Sequence, residues 1–433
     1  MLANRTMKNS GIEWIGEIPE DWNLMRLQFW LNEIKEKNLP VKSEQVLSLV
    51  KDKGVMLYEE KGNVGNVAKE DNSEYKLAYP NTLILNSMNI LIGSVGISKY
   101  FGCVSPVYYV FKETEMSDLR FINYICTTNE FQKELRKYAK GILEIRLRVS
   151  AQDIFKRIIA FPNKQEQIKI ADFLDEKCSH IDSVLEKTRA SIEEYKQLKQ
   201  SVITKAVTKG IRPNRPMKDS GIEWIGQIPE DWNTKRLRFL GSCQNGISKG
   251  AEFFGTGYPF VSYSNVYKNM ELPQTTELIE STEVERNLYS VQEGDVFFTR
   301  TSETIEEIGY TSICTKTIPN ATFAGFLIRF RPFKESSLCT KFAKYYFRSE
   351  LPRIFFVKEM NLVTRASLGQ GLLKRLPVLL PSYNEQEEIA NYLDTKCSEI
   401  DKLINKKEQL IEELETYKKS LIYEYVTGKK EVC

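Results

Sequence analysis

The chain has 433 residues, of which 42% are hydrophobic and 27% are charged, a composition typical of a globular protein with room for two or three domains. Its net charge of +3 is too small to indicate a nucleic-acid binder by itself, and no apolar run approaches the ~18 residues of a membrane helix. The eight cysteines are scattered without a CxxC pair and the N-terminus has no signal-peptide core, so we expect reduced thiols and a cytoplasmic location.

One segment is present twice in the chain. Residues 7–23 read MKNSGIEWIGEIPEDWN and residues 217–233 read MKDSGIEWIGQIPEDWN, so fifteen of seventeen positions agree at an offset of 210. Because Met7 and Met217 occupy equivalent places, we expect residues 1–6 to be a dispensable extension. A duplication of this size predicts a molecule with pseudo-two-fold symmetry, and such a molecule usually meets two copies of a partner.

After each repeated segment, the sequence predicts a mixed α/β domain. Short runs rich in β-branched and aromatic residues predict strands at 81–87, 106–112, 295–301 and 326–332. Helices whose aromatic side chains face the core are predicted at 119–140 and 339–360. The runs at 81–87 and 294–300 align at an offset of 213, and the same offset places Gly96 on Gly309.

Basic residues recur at matched places in the two halves. Arg146 matches Arg365 and Lys156 matches Arg375, each at an offset of 219. A shared phosphate contact explains these matches, and a shared salt bridge explains them almost as well.

Two glycine-containing segments suit contact with nucleic acid. They read NSMNILIGSVGISKYFGCVSP at 86–106 and TRTSETIEEIGYTS at 299–312. Asn and Ser can bond base edges, Arg and Lys can bond guanine, and glycine lets a backbone approach closely. Together with the matched basic residues, the candidate DNA-binding residues are Asn86, Ser87, Asn89, Ser94, Ser98, Lys99, Tyr100, Arg146, Arg148, Thr299, Arg300, Thr301, Ser302, Arg365 and Arg375.

Charge is distributed unevenly in the second half. Residues 271–307 have a net charge of −8, whereas residues 329–375 have a net charge of +8. One interpretation of the basic stretch is a set of solvated helix faces. The other is a surface for phosphates, where basic side chains displace counterions.

Each half closes with a long predicted helix. Residues 162–182 and 381–401 agree at twelve of 21 positions at an offset of 219. Seam residues then recur at 3,4 spacing from Ala171 to Ala206 and from Ala390 to Tyr425, which predicts a coiled coil. The simplest arrangement pairs the two helices with each other in antiparallel orientation.

The predicted seams have polar interruptions at Thr188, Lys199, Lys407 and Lys418. One interpretation is an imperfect seam close to solvent. The other is that these residues fix the register of the helix pair, as polar seam residues can. Cys178 and Cys397 lie in the same seams, where we interpret them as small core residues and not as ligands.

No catalytic or metal site is predicted. The sequence has no GxxxxGK[ST] phosphate loop, no GxGxxG after a strand, no HExxH zinc motif and no NPPY or DPPY tetrapeptide of an amino-methyltransferase. The single histidine, His180, aligns with Glu399 in the repeat, so no symmetric site can depend on it. We therefore expect a chain without catalytic activity, with His180 on an exposed flank of the coiled coil.

Three sets of motifs resemble the specificity subunit of type I restriction-modification systems. They are GIEWIGEIPEDW and GIEWIGQIPEDW at the opening of each half, the EQ…IA…LD.KCS.ID helix starts, and the loop residues 85–89 and 93–100. The resemblance covers essentially the full length. It implies two target-recognition domains, each reading one half of a bipartite DNA sequence, with two conserved helices between them. It also implies that each half docks one methyltransferase subunit and that motor-nuclease subunits join the complex.

The resemblance further implies that S-adenosylmethionine, ATP and Mg²⁺ are used by the partner subunits and not by this chain. The near-identical opening segments would then face two identical partners, while the divergent middles face different DNA half-sites. The alternative is that the opening segment only nucleates each domain, with Trp14, Ile15, Trp22 and their copies in a local core. A local core and a partner contact together fit the segment better than either role alone. The candidate partner-binding residues are Trp14, Glu20, Asp21, Trp22, Trp224, Glu230, Asp231 and Trp232.

The predicted fold class is α+β: two mixed α/β target-recognition domains separated by two long helices that form an antiparallel coiled coil, with pseudo-two-fold symmetry. The first recognition domain is predicted at 1–161 and the second at 211–380. The helices are predicted at 162–210 and 381–433. As a spacer, the helix pair would set the gap between half-sites, because two added residues lengthen a helix by ~3 Å, close to one base-pair rise. A four-residue insertion after Lys205 that left the gap unchanged would contradict this mechanism.

Two other functions fit the same features. One is a pseudo-symmetric coiled-coil adaptor that joins two protein subunits and has no salt-dependent affinity for DNA. The other is the recognition subunit of a different restriction class, which partners a fused methyltransferase-nuclease. An enzyme that acts alone fits least well.

Overall fold

The computed structural model describes residues 5–51, 53–62, 71–141, 147–302, 308–334, 337–359 and 366–432. The chain forms two compact units. Unit 1 consists of Met1–Arg189 with Gln409–Cys433, and unit 2 consists of Ala190–Glu408. Each unit therefore contains one mixed α/β region together with stretches of both long helices.

The helices of the first half are α1 (Leu119–Thr127), α2 (Asn129–Arg136), α3 (Ala151–Phe155) and α4 (Lys164–Lys209). Those of the second half are α5 (Tyr263–Lys268), α6 (Glu283–Leu288), α7 (Thr340–Arg348), α8 (Glu350–Glu359), α9 (Gln370–Leu373) and α10 (Tyr383–Val426). The two long helices expected from the seam pattern are thus α4 and α10.

The strands of the first half are β1 (Met7–Asn9), β2 (Glu17–Pro19), β3 (Asn23–Arg26), β4 (Leu31–Ile34), β5 (Leu47–Val50), β6 (Gly54–Leu57), β7 (Lys76–Ala78), β8 (Leu83–Asn86), β9 (Val95–Ile97), β10 (Gly102–Val104), β11 (Tyr108–Glu113) and β12 (Ile158–Phe161). Those of the second half are β13 (Met217–Asp219), β14 (Gln227–Pro229), β15 (Asn233–Arg236), β16 (Gly241–Asn245), β17 (Phe254–Val261), β18 (Glu277–Ile279), β19 (Val296–Thr299), β20 (Thr301–Ser302), β21 (Thr311–Ile313), β22 (Thr322–Phe323), β23 (Leu327–Pro332), β24 (Ala366–Ser367) and β25 (Pro377–Leu380).

The central sheets of the two units have the same topology. The strand order is β4-β11-β8-β9 in unit 1 and β16-β23-β19-β21 in unit 2, with antiparallel neighbours throughout. Strands β8 and β19 correspond at the predicted offset of 213. Asn81 and Gly294, which precede them at that same offset, both have positive φ, at 60° and 89°.

The predicted equivalence of Gly96 with Gly309 is wrong. Gly96 pairs with Ile84 in the sheet of unit 1, whereas the residue paired with the equivalent Phe297 is Ser312. The offset has therefore already grown by three residues at this strand, because eleven residues separate β19 from β21, whereas eight separate β8 from β9.

The predicted helices with an aromatic core face are each divided in two. Thr128 has extended backbone and caps α2 by accepting a hydrogen bond from Phe131 N, and Ser349 separates α7 from α8 in the same extended conformation. The aromatic face is buried as expected, with Phe121, Phe131, Phe342, Tyr346 and Phe356 all at most 1% exposed.

The long helices run antiparallel within each unit. In unit 1, Phe173 contacts Tyr425 at a ring-centroid distance of 4.5 Å, and Asp182 pairs with Lys418. In unit 2, Lys199 pairs with Asp401 across the helices. The fold class is confirmed by this arrangement.

The seam residues behave largely as the heptad pattern predicts. Cys178 and Cys397 are each 5% exposed and pack in the cores of unit 1 and unit 2, and His180 is exposed. Burial raises the pKa of the Cys178 thiol to about 11. Lys199 and Lys418 have acidic partners across the helix pair, which favours a role in fixing register.

Arg5 and Thr6 are part of the fold and not of the dispensable extension that we expected, whereas residues 1–4 lie outside the described residues. Arg5 donates to Glu166 and Asp21, and Glu20 N donates to Thr6 O at 3.0 Å. The same offset of 210 maps Arg5 onto Arg215, so the repeat begins earlier than Met7. The division of the chain at residues 161, 210 and 380 stays a prediction. None of the described helices combines the length and hydrophobicity of a membrane span.

Candidate nucleic-acid interface

The end of β8 carries the first candidate residues. Asn86 Oδ1 accepts a hydrogen bond from Met88 N at 3.0 Å, and Asn86 N donates to Ser94 O at 3.2 Å. The side chains of Asn86, Ser87 and Ser94 are each at most 4% exposed. These three residues therefore shape the turn, and the side chain exposed beside them is that of Asn89.

A second segment joins the end of β8 from far along the sequence. Val149 N donates to Ser87 O at 3.0 Å, so residues 147–149 lie against the turn. Lys140 and Arg148 form an antiparallel bridge with backbone bonds of 2.8 and 2.9 Å, and both side chains are exposed. Lys140 was not a candidate from the sequence, because its nearness to Ser87 depends on tertiary structure. Arg146 lies outside the described residues.

Unit 2 repeats this arrangement with different side chains. Leu368 N donates to Arg300 O at 2.7 Å, as Val149 N does to Ser87 O. Arg300 N donates to Phe326 O at 2.9 Å, which matches a bond of Ser87 N to Val107 O. Ser87 and Arg300 correspond at the offset of 213. Their bonding partners correspond at the offset of 219, Val107 with Phe326 and Val149 with Leu368.

We call this region the strand-end surface. It comprises residues 86–89, 107, 140 and 147–149 in unit 1, and residues 245–248, 299–302, 324–326 and 367–370 in unit 2. Its candidate members in unit 2 are Thr299, which is buried, and Arg300 and Thr301, which are half-buried. Ser302 pairs with Ala366 in the backbone ladder, and Arg365 lies outside the described residues.

The structure separates three other candidates from the strand-end surface. Ser98 N donates to Thr82 O at 2.8 Å, which places Ser98, Lys99 and Tyr100 at the start of β8 and not at its end. The length of β8 is roughly 10 Å at ~3.3 Å per residue. The segment 86–106 thus contains strand β9, so Asn86 and Tyr100 lie near opposite ends of β8. Lys99 is exposed, and its contact with DNA stays a prediction.

Arg375 is also remote from Arg300. The carbonyl of Leu376 accepts from Leu237 N at 2.8 Å, ahead of β16, whereas the strand-end surface lies where β16 ends. Arg375 pairs with Glu359 at 3.5 Å. The alternative of a structural salt bridge therefore has direct support at this position, and a phosphate contact stays a prediction.

The charged stretches of unit 2 compensate each other in part. Arg331 pairs with Asp295 at 2.6 Å, and Lys344 pairs with Glu271 at 2.9 Å. Arg329 is 6% exposed, and burial together with Arg331 lowers its pKa to about 10. Arg331 and Lys344 are thus internal partners of the acidic stretch, a possibility that counting charges along the sequence does not reveal.

The opening segments are anchored through their second tryptophan. Trp22 and Trp232 are fully buried, and their indole Nε1 atoms donate to Glu166 at 3.2 Å and to Glu385 at 3.1 Å. These two side chains therefore serve the cores, and a partner contact through them stays a prediction. Arg215 pairs with Glu385 in the same cluster.

The remaining partner candidates differ in exposure. Trp14 and Trp224 are half-buried and pack edge-on or tilted against Phe131 at 5.7 Å and Phe355 at 6.3 Å. The exposed members are Glu20, Asp21, Glu230 and Asp231. Asp21 pairs with Arg5 at 2.8 Å and Asp231 pairs with Arg215 at 2.6 Å, so Glu20 and Glu230 are the members of this acidic edge that remain candidates for a partner contact.

A buried glutamine in each unit ties a long helix to the mixed α/β region. Gln167 Oε1 accepts from Asp118 N at 3.0 Å, and Gln386 Oε1 accepts from Cys339 N at 2.8 Å. The Nε2 of Gln386 donates to the carbonyls of Ser337 and Pro381. Both glutamines are 0% exposed, which explains why the repeat keeps the EQ pair at each helix start.

Known proteins that are similar to this chain are specificity subunits of type I restriction enzymes. Residues 229–415 match the family model described as the type I restriction modification DNA specificity domain. This match identifies a DNA specificity domain in the second half of the chain. The chain is 23% identical to the type I restriction enzyme EcoKI specificity subunit of Escherichia coli strain K12, over 88% of this chain and 82% of that protein. It is 24% identical to the MjaVIII specificity subunit of Methanocaldococcus jannaschii, over 95% of this chain and 93% of that protein.

Solved structures of specificity subunits share the fold. The HsdS subunit from Thermoanaerobacter tengcongensis matches with a TM-score of 0.54 at 15% identity, over 95% of this chain and 98% of that chain. A chain from work on complex assembly and conformational transition of the type I R-M system matches with a TM-score of 0.73 at 14% identity, over 95% and 99%. At these identities the likeness concerns the architecture of the specificity subunit.

Proposed function

We propose that the chain reads a bipartite DNA target, one half-site by each unit, within a type I restriction-modification complex. The observation that carries this proposal is the strand-end surface. The same backbone bonds, Val149 to Ser87 and Leu368 to Arg300, hold it in both units, while the side chains around those bonds differ. A fixed frame with variable side chains suits the reading of two different sequences.

The exposed and half-buried groups at this surface suit both kinds of contact. Lys140 and Arg148 in unit 1 offer cationic heads to phosphates, which would position the duplex. Asn89 in unit 1, and Arg300 and Thr301 in unit 2, offer donors and acceptors to base edges. The side chains of Asn86 and Ser87 would contribute by shaping the turn.

Two methyltransferase subunits would dock on the repeated opening segments, and two motor-nuclease subunits would join through them. The exposed residues Glu20 and Glu230 support this placement, because they are identical in the repeats. Asp21 and Asp231 are exposed too, but they are paired with Arg5 and Arg215. The partners would bind S-adenosylmethionine, ATP and Mg²⁺.

A map of modified bases tests the reading function. A host carrying the candidate methyltransferase is sequenced with and without this chain, and we expect a split adenine-methylated motif only in the presence of the chain. A methyltransferase that co-purifies with the chain while no motif appears would contradict DNA reading and favour a coiled-coil adaptor.

Helix length tests the spacer mechanism. Because Ala206 and Val207 are buried in the core of unit 2, an insertion after Lys205 would disturb that core. We therefore place four residues between Arg189 and Ala190, and four between Glu408 and Gln409, where the two units meet in the sequence. The motif gap should grow by about two base pairs, since four helical residues add ~6 Å.

A further inference from the structure

One large apolar side chain stands out on the strand-end surface of unit 2. Phe326 is 60% exposed, although it lies between the buried residues Ala324 and Leu327. Its carbonyl accepts a hydrogen bond from Arg300 N, which fixes the backbone of Phe326 within the strand-end surface of unit 2. The equivalent position in unit 1 is Val107, a smaller and half-buried residue. The two repeats therefore differ at this point of an otherwise shared frame.

The backbone that carries Phe326 is held on both sides. Gly325 N donates to Ile247 O at 2.7 Å, and Leu327 N donates to Ala324 O at 2.9 Å. A Cβ on Gly325 would lie within 3.3 Å of Ile247 O and would force the Ser248 hydroxyl to move, so glycine suits this close approach of the two loops. The ring is thus presented to solvent from a rigid support, which lowers the entropy lost when it contacts a ligand.

Polar groups suited to bases belong to the same strand-end surface as the ring. Arg300 is its backbone partner, and Gln370 Nε2 donates to Asn245 Oδ1 at 3.0 Å at the end of the neighbouring strand β16. Arginine and amide side chains are those that bond guanine and adenine edges in the major groove. An apolar ring among them suits contact with the apolar part of a base, such as the thymine methyl group.

We propose that Phe326 is a specificity-determining residue of the half-site read by unit 2, where its ring makes an apolar contact with a base. This inference rests on the proposed DNA-reading function. It accounts for an exposed phenylalanine that contributes little to the core. It also assigns the difference between Phe326 and Val107 to the difference between the two half-sites.

Phe239 provides a matched control. It is 61% exposed, lies in the same unit and has Arg238 over its ring at 4.7 Å. It precedes β16, however, so it lies at the opposite end of that strand from Asn245. Phe326→Ala and Phe239→Ala therefore remove the same side chain at equal exposure, and only the first lies on the strand-end surface.

The experiment uses the complex of the full chain with its methyltransferase. The modified-base map gives the motif, and duplexes with single substitutions in each half-site are then bound to the wild-type, F326A, F326L and F239A complexes. We expect F326A to lose discrimination of about tenfold at one position of one half-site. F326L should retain part of this discrimination, and F239A should match the wild type. The dependence of affinity on salt should not change, because phenylalanine carries no charge.

An F326A complex with an unchanged motif and unchanged discrimination would overturn the inference, as would equal weakening on every sequence. Absence of any motif with the wild-type chain would instead overturn the proposed function. Thermal unfolding of F326A and F239A shows whether both variants keep the fold, which their exposure leads us to expect.

Discussion

Lys199 Nζ lies 2.6 Å from Asp401 in unit 2, and the offset of 219 converts this pair into its counterpart in unit 1, Asp182 with Lys418 at 2.6 Å. In one unit the lysine comes from α4 and in the other it comes from α10. Lys199 and Lys418, two of the three lysines that interrupt the seams, thus meet aspartates that the repeat keeps in both helices. This exchange of roles is what an antiparallel pair of repeated helices requires.

Reversing the charge of Lys199 should weaken unit 2 more than removing it. K199A should lower the free energy of unfolding by less than ~1 kcal/mol, because the pair is partly exposed. K199D should cost more, since it places two carboxylates together, and adding D401K should restore most of the loss. Urea unfolding in a double-mutant cycle measures this coupling. K196A removes a pair within one exposed helix face and serves as the control.

Loss of the buried glutamine at a helix start should be costly. Q386A would leave Cys339 N and two carbonyls without their partner inside the core, and we expect a loss of about 2 kcal/mol or more. Gln409 is exposed on α10, so Q409A should change stability by less than ~0.5 kcal/mol. Equal effects of the two variants in chemical denaturation would contradict the anchoring role.

The two tryptophans of the second opening segment should differ in their contribution to stability. W232F removes the indole donor from Glu385 and should cost about 1–3 kcal/mol, because a buried charged acceptor loses a bond. W224F acts on a half-buried ring and should cost less than ~1.5 kcal/mol. If W232F weakened methyltransferase docking without affecting the unfolding transition, Trp232 would have a partner role that its burial does not suggest.

Asp394 should give unit 2 a pH-dependent contribution to stability. Burial by itself would raise the pKa of this carboxyl, but hydrogen bonds from Lys344 and Tyr345 outweigh it and lower the pKa below 3.8. A carboxyl with a lowered folded pKa stabilises the fold above its unfolded pKa and loses this effect as the pH falls through the folded value.

The difference in stability between the wild type and D394N should therefore be constant above about pH 5 and shrink toward lower pH. Denaturation midpoints measured from pH 3 to pH 7 check this prediction. A difference that grows on acidification would contradict the direction of the pKa shift.

Arg300 and Arg375 should differ in their contribution to DNA affinity. Arg300 lies on the strand-end surface, so R300A should weaken binding, and a phosphate contact would also reduce the slope of log affinity against log salt by about 1. Arg375 pairs with Glu359 at the other end of β16, and R375A should leave both quantities unchanged. Salt titrations of DNA binding by the methyltransferase complex distinguish these outcomes. A larger effect of R375A than of R300A would contradict a DNA interface at the strand ends.

Most of the fold could be predicted from the sequence because its determinants are local or periodic. The runs at 81–87 and 326–332 are strands, and the 3,4 spacing from Ala171 onward is a helix seam. The repeat also marked the EQ and EDW motifs as important. A core role for Trp232 is confirmed by its burial. The repeat could not say that Gln386 is a buried anchor, because identical residues serve a core and a partner equally well.

The candidate site could be predicted only in part. The strand ends at Asn86 and Thr299 were identified by residue type and by the offset of 213. Ser98 to Tyr100 were grouped with them because they are close in sequence, yet a strand runs between the two places.

The sequence by itself determined the duplication, the positions of the main helices and strands, and the seam residues by which the two long helices pair. Tertiary structure alone decided which residues share a surface. Lys140 reaches Ser87 through Val149, and Phe326 reaches Arg300, because sheet and loop hydrogen bonds join segments that are far apart in the chain. Burial likewise depends on what packs over a residue. Glutamate is therefore exposed at position 20 but is a buried hydrogen-bond acceptor at position 385.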